Sequence, residues 1–158
     1  MQLNHFDSAG NAIMVDVSDK PETVRTATAH GRISMNPETF ALISKDKIDK
    51  GDVLGVARVA GIMATKRTSE LIPMCHNILI ESCSVDFVMD KQHSEIEARC
   101  TVVTSGKTGI EMEAIVGVSL ALATIYDMCK AGDRAMTIHS IRLYEKSGGR
   151  SGHYKYEG

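Results

Sequence analysis

The feature that most constrains this chain is a long apolar segment between Gly109 and Gly132. Its apolar side chains recur at the three- and four-residue steps of an α-helix. These positions are Ile115, Val118, Leu122, Ile125 and Cys129. Alanine, valine and leucine cover most of the remaining circumference, so the helix must be buried on more than one side. The uncharged run 114–126 is well short of the roughly 20 residues that a bilayer requires. The segment therefore predicts the core helix of a globular domain.

Charged side chains stand at both ends of this predicted helix. Glu111 and Glu113 lie near its start, where the helix dipole favours anions, and Asp127 and Lys130 are three apart near its end and share a face. One interpretation is a dipole-matched helix with a salt bridge; the other is that both ends line a cleft. Glu113 and Asp127 would be about 21 Å apart along the axis. If both ends are functional, we expect a site shared between two subunits.

Length and composition indicate one domain. We interpret residues 1–20 as a flexible arm and residues 21–158 as a single catalytic domain that ends in a Gly-rich tail. A net charge of −2 and an aromatic content of 4% without Trp exclude the usual nucleic-acid and membrane surfaces. Four cysteines without C-x-x-C spacing, and an N-terminus without a signal peptide, predict reduced thiols in a cytoplasmic protein.

The order of elements predicts the fold class. Helices are expected from Pro37 to Ile43, from a cap at Asp52 onward, and in the long apolar segment. Alternating patterns predict the strands, which are His30–Met35, Ser82–Phe87, Glu95–Val102 and Thr137–Glu145. This order is the βαββαβ arrangement of ferredoxin-like α+β folds, with one antiparallel sheet and helices on one face. Such folds host many unrelated activities, so function must come from the site.

Met74, Cys75, His76 and Asn77 follow Pro73, which ends the second helix. In an extended chain, Cys75 and His76 would point to opposite faces. No second Cys/His cluster follows at zinc-site distance, so the pattern favours a packed thiol beside an imidazole, and we expect no metal site.

Basic residues at element ends are the remaining candidates. Lys50 precedes a helix start at Gly51 and Asp52, which is either a phosphate cradle or a solvated lysine, since Asp52 competes for the free N–H groups. Lys146 opens a glycine-rich tail that either closes over an anion or is disordered. Arg25 is locally no more than a surface charge.

Several motifs together resemble one family. They are MVDVSDKPETVR, AGIMATKRTSELIPMCHN, TGIEMEA, LATIYDMCKAGD and EKSGGRSG, which run from about Met14 to Gly152. They closely resemble the cyclic pyranopterin monophosphate synthases, the C proteins of molybdenum cofactor biosynthesis. The combination of TGIEMEA with IYDMCKA at this spacing is highly specific.

The resemblance implies a cytoplasmic lyase with general acid–base catalysis. Its members convert 3',8-cyclo-7,8-dihydroguanosine 5'-triphosphate, a cyclised GTP derivative, to cyclic pyranopterin monophosphate and release diphosphate. It also implies a ferredoxin-like fold and a homohexamer, a trimer of dimers, with sites at subunit interfaces. No metal or redox cofactor is expected, although magnesium is expected to accompany the triphosphate.

The resemblance also implies a set of site residues. The catalytic positions are Asp127, Lys130 and Lys50. The substrate-binding positions are Met74, Cys75, His76, Met112, Glu113, Glu111, Arg25, Lys66 and Lys146.

Two departures from the family pattern affect the local backbone and charge. Asn77 stands where the family usually has Pro, so His76 is less strongly biased toward an extended conformation. Arg150 stands where the family usually has Lys, which keeps the charge but offers a planar fork.

Two other classes of function compete with this enzyme. One is a non-catalytic regulator that binds a small molecule at a ferredoxin-like interface, which leaves His76, Asp127 and the lysines without a role. The other is an acyl-phosphate hydrolase, which would place an Arg-bearing loop after the first strand; residues 36–44 contain no Arg.

Overall fold

The computed structural model describes residues 5–44 and 52–158. The elements in chain order are β1 (Thr23–Ser34), α1 (Pro37–Ser44), α2 (Val53–Thr65), α3 (Thr68–Leu71), β2 (Ser82–Asp90), β3 (Glu95–Gly106), α4 (Glu111–Cys129), β4 (Thr137–Ser147) and β5 (Tyr154–Lys155). They form one sheet and a layer of helices packed on it.

The sheet has the order β2-β3-β1-β4-β5, and every neighbouring pair is antiparallel. The first four strands, with α2 and α4 as crossovers, give the βαββαβ arrangement with β1 and β3 in the centre. The predicted ferredoxin-like α+β fold is therefore confirmed. The short β5 extends the sheet beyond β4, where Lys155 pairs with Glu145.

Strand β1 begins seven residues earlier than the sequence pattern predicted, at Thr23 rather than His30. Its helix-facing residues in this added part include Ala27 and Ala29, which are small and give a weak alternation signal although both are buried. Further along, a side chain at Gly31 would lie 2.6 Å from Val118 Cγ1 of α4. Small residues on β1 therefore let α4 lie close to the central strand.

Helix α4 is the centre of the core, as its sequence predicted. Val118, Leu122 and Ile125 are fully buried, and the helix packs against α2 and the sheet. Where the two helices meet, a Cβ at Gly61 would lie 2.9 Å from the carbonyl oxygen of Gly117, so their backbones nearly touch. By length and composition alone α4 could span a bilayer, but in this fold it is a core helix.

The cap predicted at Asp52 is present, whereas the end predicted for α2 at Pro73 is wrong. Asp52 caps α2 by accepting a 2.7 Å hydrogen bond from the Gly55 N–H. The β2–β3 turn ends at Ser94, which adopts a positive φ of 51°. Helix α2 ends at Thr65, before the predicted stop at Pro73, and the short α3 fills part of the interval.

Candidate active site

Two adjoining cavities lie at the N-terminal end of α4. The first, which we call the basic cavity, has a volume of about 400 Å³ and lies beside the starts of β1 and the C-terminal tail. The second, which we call the His76 cavity, has a volume of about 290 Å³ and lies beside residues 74–78. Both are lined by Lys20, Thr108, Gly109 and Glu111. These shared residues make the two cavities parts of one site.

Five basic side chains and one acidic side chain line the basic cavity, and they are Lys20, Arg25, Lys107, Lys146 and Arg150 with Glu111. Arg25 is fixed by a 2.8 Å hydrogen bond from its Nε to the Gly106 carbonyl at the end of β3. Lys107 donates a 2.7 Å hydrogen bond to the Ser18 carbonyl of the N-terminal arm. The excess of positive charge suits a polyanionic ligand.

The glycine-rich tail packs closely against Arg25 and its neighbour Val24 because Gly148 and Gly149 lack side chains. Gly148 and Gly149 have φ values of 94° and 71°, a region that residues with a Cβ rarely adopt. A Cβ at Gly149 would overlap the Arg25 guanidinium, and a Cβ at Gly148 would overlap the Val24 carbonyl. The tail can therefore follow β1 closely and bring Arg150 to the cavity.

Lys146 and Glu111 both line the basic cavity and form an ion pair with each other. The Lys146 Nζ donates to Glu111 Oε1 at 2.7 Å and to Ser151 Oγ at 2.9 Å. Both charged side chains are about three-quarters buried, with exposures of 23% and 27%. The pair joins β4 to the first turn of α4, and it holds the lysine where a ligand anion could bind.

Thr23 adds an unusual polar atom to the same cavity. Within the part of the chain that the structure describes, its Oγ1 is a buried side-chain oxygen without a hydrogen-bond partner. An unpaired buried hydroxyl costs stability, and in a residue that lines a cavity it leaves a polar atom for which the described protein supplies no partner.

The His76 cavity collects the predicted binding residues Met74, Cys75, His76, Met112 and Glu113. Cys75 and His76 reach the same cavity although an extended chain would separate them. The reason is a turn, in which the Cys75 N–H donates to the Ile72 carbonyl at 3.1 Å.

The N-terminal arm holds His76 in place. The His76 Nε2 lies 2.8 Å from the Val15 carbonyl oxygen, which can only accept, so Nε2 is the protonated nitrogen. The arm also contributes His5, Val15 and Val17 to the cavity lining. Residues 5–20 therefore form one wall of the site.

Burial tunes the acid–base groups of the His76 cavity. Glu113 is 3% exposed. Desolvation raises its pKa to about 7, and the nearby Glu111 charge acts in the same direction. Burial likewise raises the pKa of the Cys75 thiol, with a contribution from the Glu113 charge. Glu113 can thus hold or release a proton near neutral pH, while Cys75 stays a thiol.

Asp127 and Lys130 lie at the opposite end of α4 and line neither cavity of their own chain. They form an exposed pair, with Lys130 Nζ 2.6 Å from Asp127 Oδ1, and this hydrogen bond raises the pKa of Lys130. Asp127 follows Glu111 by 16 residues, which is about 24 Å along the helix.

Lys66 and Lys50 are the remaining predicted residues. Lys66 is exposed at the C-terminal end of α2 and is not among the residues that line either cavity. Lys50 lies outside the described residues.

The structure adds Lys20, Lys107 and Thr23 to the site, which reasoning from the sequence had not selected. Lys20 lies within the motif MVDVSDKPETVR, and Lys107 directly precedes TGIEMEA, so their positions beside family motifs were the available signal. Within residues 5–44 and 52–158, no group of three or more His, Cys, Asp or Glu side chains is arranged to hold a metal ion.

The chain is similar over nearly its whole length to known enzymes. The cyclic pyranopterin monophosphate synthase of Clostridium perfringens (strain SM101) is 56% identical over 155 residues, which cover 98% of each chain. The synthase of Pelobacter propionicus is 54% identical over 99% of this chain and 98% of the relative. The synthase of Chloroflexus aurantiacus is 56% identical over 98% of this chain and 94% of the relative. The sequence profile of the MoaC family matches residues 14–149. This chain belongs to the MoaC family.

Proposed function

We propose that this protein is a cyclic pyranopterin monophosphate synthase of molybdenum cofactor biosynthesis. It converts 3',8-cyclo-7,8-dihydroguanosine 5'-triphosphate to cyclic pyranopterin monophosphate and releases diphosphate. The observation that carries the proposal is the junction of the basic cavity and the His76 cavity at Glu111. A triphosphate and its nucleoside need two such neighbouring environments, one rich in cations and one rich in proton donors and acceptors.

The basic cavity is the proposed binding place of the phosphates. In the reaction, a bond between the α-phosphorus and the bridging oxygen breaks, an oxygen of the same substrate takes its place, and diphosphate leaves. Charge develops on the leaving oxygens, and fixed cations such as Arg25 and Lys146 stabilise it. Magnesium arrives as part of the substrate, bound to the triphosphate.

The start of α4 supports the same assignment. The residue at its N-cap is Ile110, whose side chain offers no capping oxygen, so α4 begins without a side-chain cap. Free N–H groups and the helix dipole at such an end favour a ligand anion. Gly109, directly before this end, lines both cavities.

The His76 cavity is the proposed place of the ring chemistry. Opening and rebuilding rings requires proton transfers, and Glu113 changes protonation near neutral pH. The His76 Nε2–H is committed to the Val15 carbonyl, which leaves Nδ1 as the nitrogen that can face a substrate. These groups support a phosphorus–oxygen lyase that works by general acid–base catalysis without a cofactor.

A second subunit completes the proposed site. Asp127 and Lys130 can assist a reaction at the other end of α4 only if a neighbouring chain supplies them. We therefore propose the homohexamer, a trimer of dimers in the cytoplasm, with each site at a subunit interface. The exposed position of the pair at the helix end leaves it accessible to a neighbour.

The direct test incubates the purified protein with the cyclised triphosphate and measures diphosphate and the pterin product. Equal amounts of both products, formed at a rate proportional to protein, support the proposal. Binding of the triphosphate without turnover would instead identify a small-molecule-binding regulator. Light scattering of the same sample tests the hexamer.

A further inference from the structure

Two cysteines outside the candidate site form a pair between neighbouring strands. In the sheet register, Cys83 of β2 lies opposite Val102, and Cys100 of β3 lies opposite Val85. The two cysteines are therefore diagonal neighbours, and both face the helix layer. Interaction between the two thiols lowers the pKa of Cys83 and raises that of Cys100. Neither residue lines the basic cavity or the His76 cavity.

The surroundings of the two sulfur atoms differ. Cys83 is partly exposed, its Sγ lies 3.7 Å from Thr65 Oγ1, and it feels the positive charge of Lys66. The interaction with Cys100, together with the hydrogen bond from Thr65, lowers the pKa of Cys83, whereas the same contact and burial raise the pKa of Cys100. One thiol is thus a nucleophile at neutral pH and its neighbour is a proton donor.

We propose that Cys83 and Cys100 form a peroxide-reactive dithiol, with Cys83 as the attacking thiolate and Cys100 as the resolving thiol. The Cys83 thiolate attacks one oxygen of hydrogen peroxide, the O–O bond breaks, and hydroxide leaves, which gives a sulfenic acid. The Cys100 sulfur then attacks the Cys83 sulfur, the S–O bond breaks, and the Cys100 proton leaves with the hydroxide as water. Each chain loses two electrons to the peroxide and gains one disulfide.

The burial of the two sulfur atoms determines which of them accepts the peroxide oxygen. Cys100 is fully buried, and a Cβ at Gly117 would lie 2.7 Å from its Sγ, so the α4 backbone lies directly over this sulfur. No room remains there for an added oxygen atom. The oxygen is therefore accepted at Cys83, whose side chain is accessible.

The strand geometry allows the bond to close with a local shift. Diagonal pairs are farther apart than directly opposed pairs, so the disulfide requires the two strands to approach. Cys83 is the second residue of β2, and residues 75–80 before the strand have no regular structure. The required shift is at the beginning of β2, next to the 3.0 Å hydrogen bond from the Glu81 N–H to the Val103 carbonyl.

The test treats the reduced full-length protein with hydrogen peroxide, blocks the remaining thiols, and analyses the peptides by mass spectrometry. We expect a Cys83–Cys100 disulfide that a dithiol reductant removes. Cys75 is an internal reference because burial raises its pKa. Cys83 should react at least about tenfold faster than Cys75, since one pKa unit changes the thiolate fraction about tenfold. Equal rates, or a Cys83 that pairs only with another chain, would overturn the proposal.

Two variants separate the roles of the thiols. In Cys100→Ala, the sulfenic acid at Cys83 should persist and be captured by dimedone. In Cys83→Ser, Cys100 should stay reduced at peroxide concentrations that oxidise the wild type fully. Oxidation of Cys100 in the serine variant at the wild-type rate would contradict the assignment. Cys83 is partly exposed, so Cys83→Ser should fold normally. It therefore tests the proposal even if Cys100→Ala destabilises the core.

Discussion

Lys146 of β4 donates a 2.7 Å hydrogen bond to Glu111 in the first turn of α4. This contact joins residues 35 positions apart, both of which line the basic cavity. The lysine is therefore held in place before any ligand arrives. A bound phosphate would find its cation already oriented, which lowers the entropic cost of binding.

Replacement of Lys146 tests this preorganisation. We expect Lys146→Met to lower kcat/KM by roughly ten- to hundredfold, because hydrogen bonds to charged groups contribute about 1.5–3 kcal/mol. Lys146→Arg keeps the positive charge, so its kcat/KM should fall by a smaller factor. The control is Lys91→Met in the exposed β2–β3 turn, which should retain full activity. An active Lys146→Met enzyme with unchanged KM would remove this lysine from the phosphate site.

Replacement of either residue at the far end of α4 tests the acid–base chemistry. Lys130→Ala and Asp127→Ala should each lower product formation at least about hundredfold, because positioned proton donors and acceptors contribute factors of this size. The pair is exposed, so both variants should fold and assemble normally, as judged by circular dichroism and light scattering. A normal rate in either variant would show that the pair takes no part in the reaction.

Mixed assemblies test whether two chains share each site. We expect Lys130→Ala and His76→Ala proteins to be inactive alone and to regain activity when unfolded and refolded together. In an equal mixture, roughly a quarter of the shared sites would combine an intact His76 with an intact Lys130. If one chain carried the whole site, every site would keep one defect and no activity would return.

The protonation of Glu113 predicts a pH-dependent stability. Its pKa rises from 4.5 in the unfolded chain to about 7 in the folded protein. Between these two pH values the folded state binds more protons than the unfolded chain. The contribution of Glu113 to the free energy of unfolding is therefore greatest below pH 4.5, falls as the pH rises, and becomes constant above about 7. Glu113→Gln cannot ionise, so it avoids the loss of stability that accompanies ionisation of Glu113. The difference between the melting temperatures of the variant and the wild type should therefore grow in favour of the variant from pH 5 to about 7.

The exposed Glu157→Gln variant is the matched control for this measurement and should follow the wild type at every pH. A Glu113→Gln protein whose melting temperature differs from the wild type by the same amount at all pH values would show that Glu113 does not titrate in this range.

The unpaired hydroxyl of Thr23 predicts opposite effects on stability and on binding. Thr23→Val keeps the shape of the side chain and removes the buried Oγ1, so the free protein should be as stable as the wild type or more stable. If the hydroxyl binds the ligand, KM should rise several-fold while the melting temperature does not fall. Thr23→Ser keeps the hydroxyl and should restore KM. A valine variant with wild-type KM would show that the hydroxyl does not contact substrate.

The sequence predicted those parts of the fold whose side chains alternate strongly. The β2–β3 hairpin was clear because Val85, Ile96 and Cys100 are buried among polar neighbours. The first half of β1 was missed because its buried residues, such as Ala27 and Ala29, are too small to give a pattern. The two-residue β5 depends on pairing with β4, which is a tertiary contact without a local signal.

The residues alone marked Glu113 and Lys146 as candidates for a cleft or an anion-binding loop, and the resemblance assigned them, with Met74, to one site. The structure brings all three to one end of α4. Lys20 reaches the site through the path of the arm, and Lys107 reaches it from the loop between β3 and α4; no periodicity in the sequence indicates either position. The fold of one subunit does not bring Asp127 and Lys130 to the cavities, so the roles proposed for them require a neighbouring chain.

The hydrogen bond between His76 and the Val15 carbonyl imposes a particular requirement on the arm. The acceptor is a backbone atom, which every amino acid supplies, so exchange of the side chain at position 15 leaves this bond available. Insertion or deletion of a residue between the arm's start and β1 would instead displace the carbonyl. Evolution of this bond is therefore constrained by the length of the segment more than by its composition.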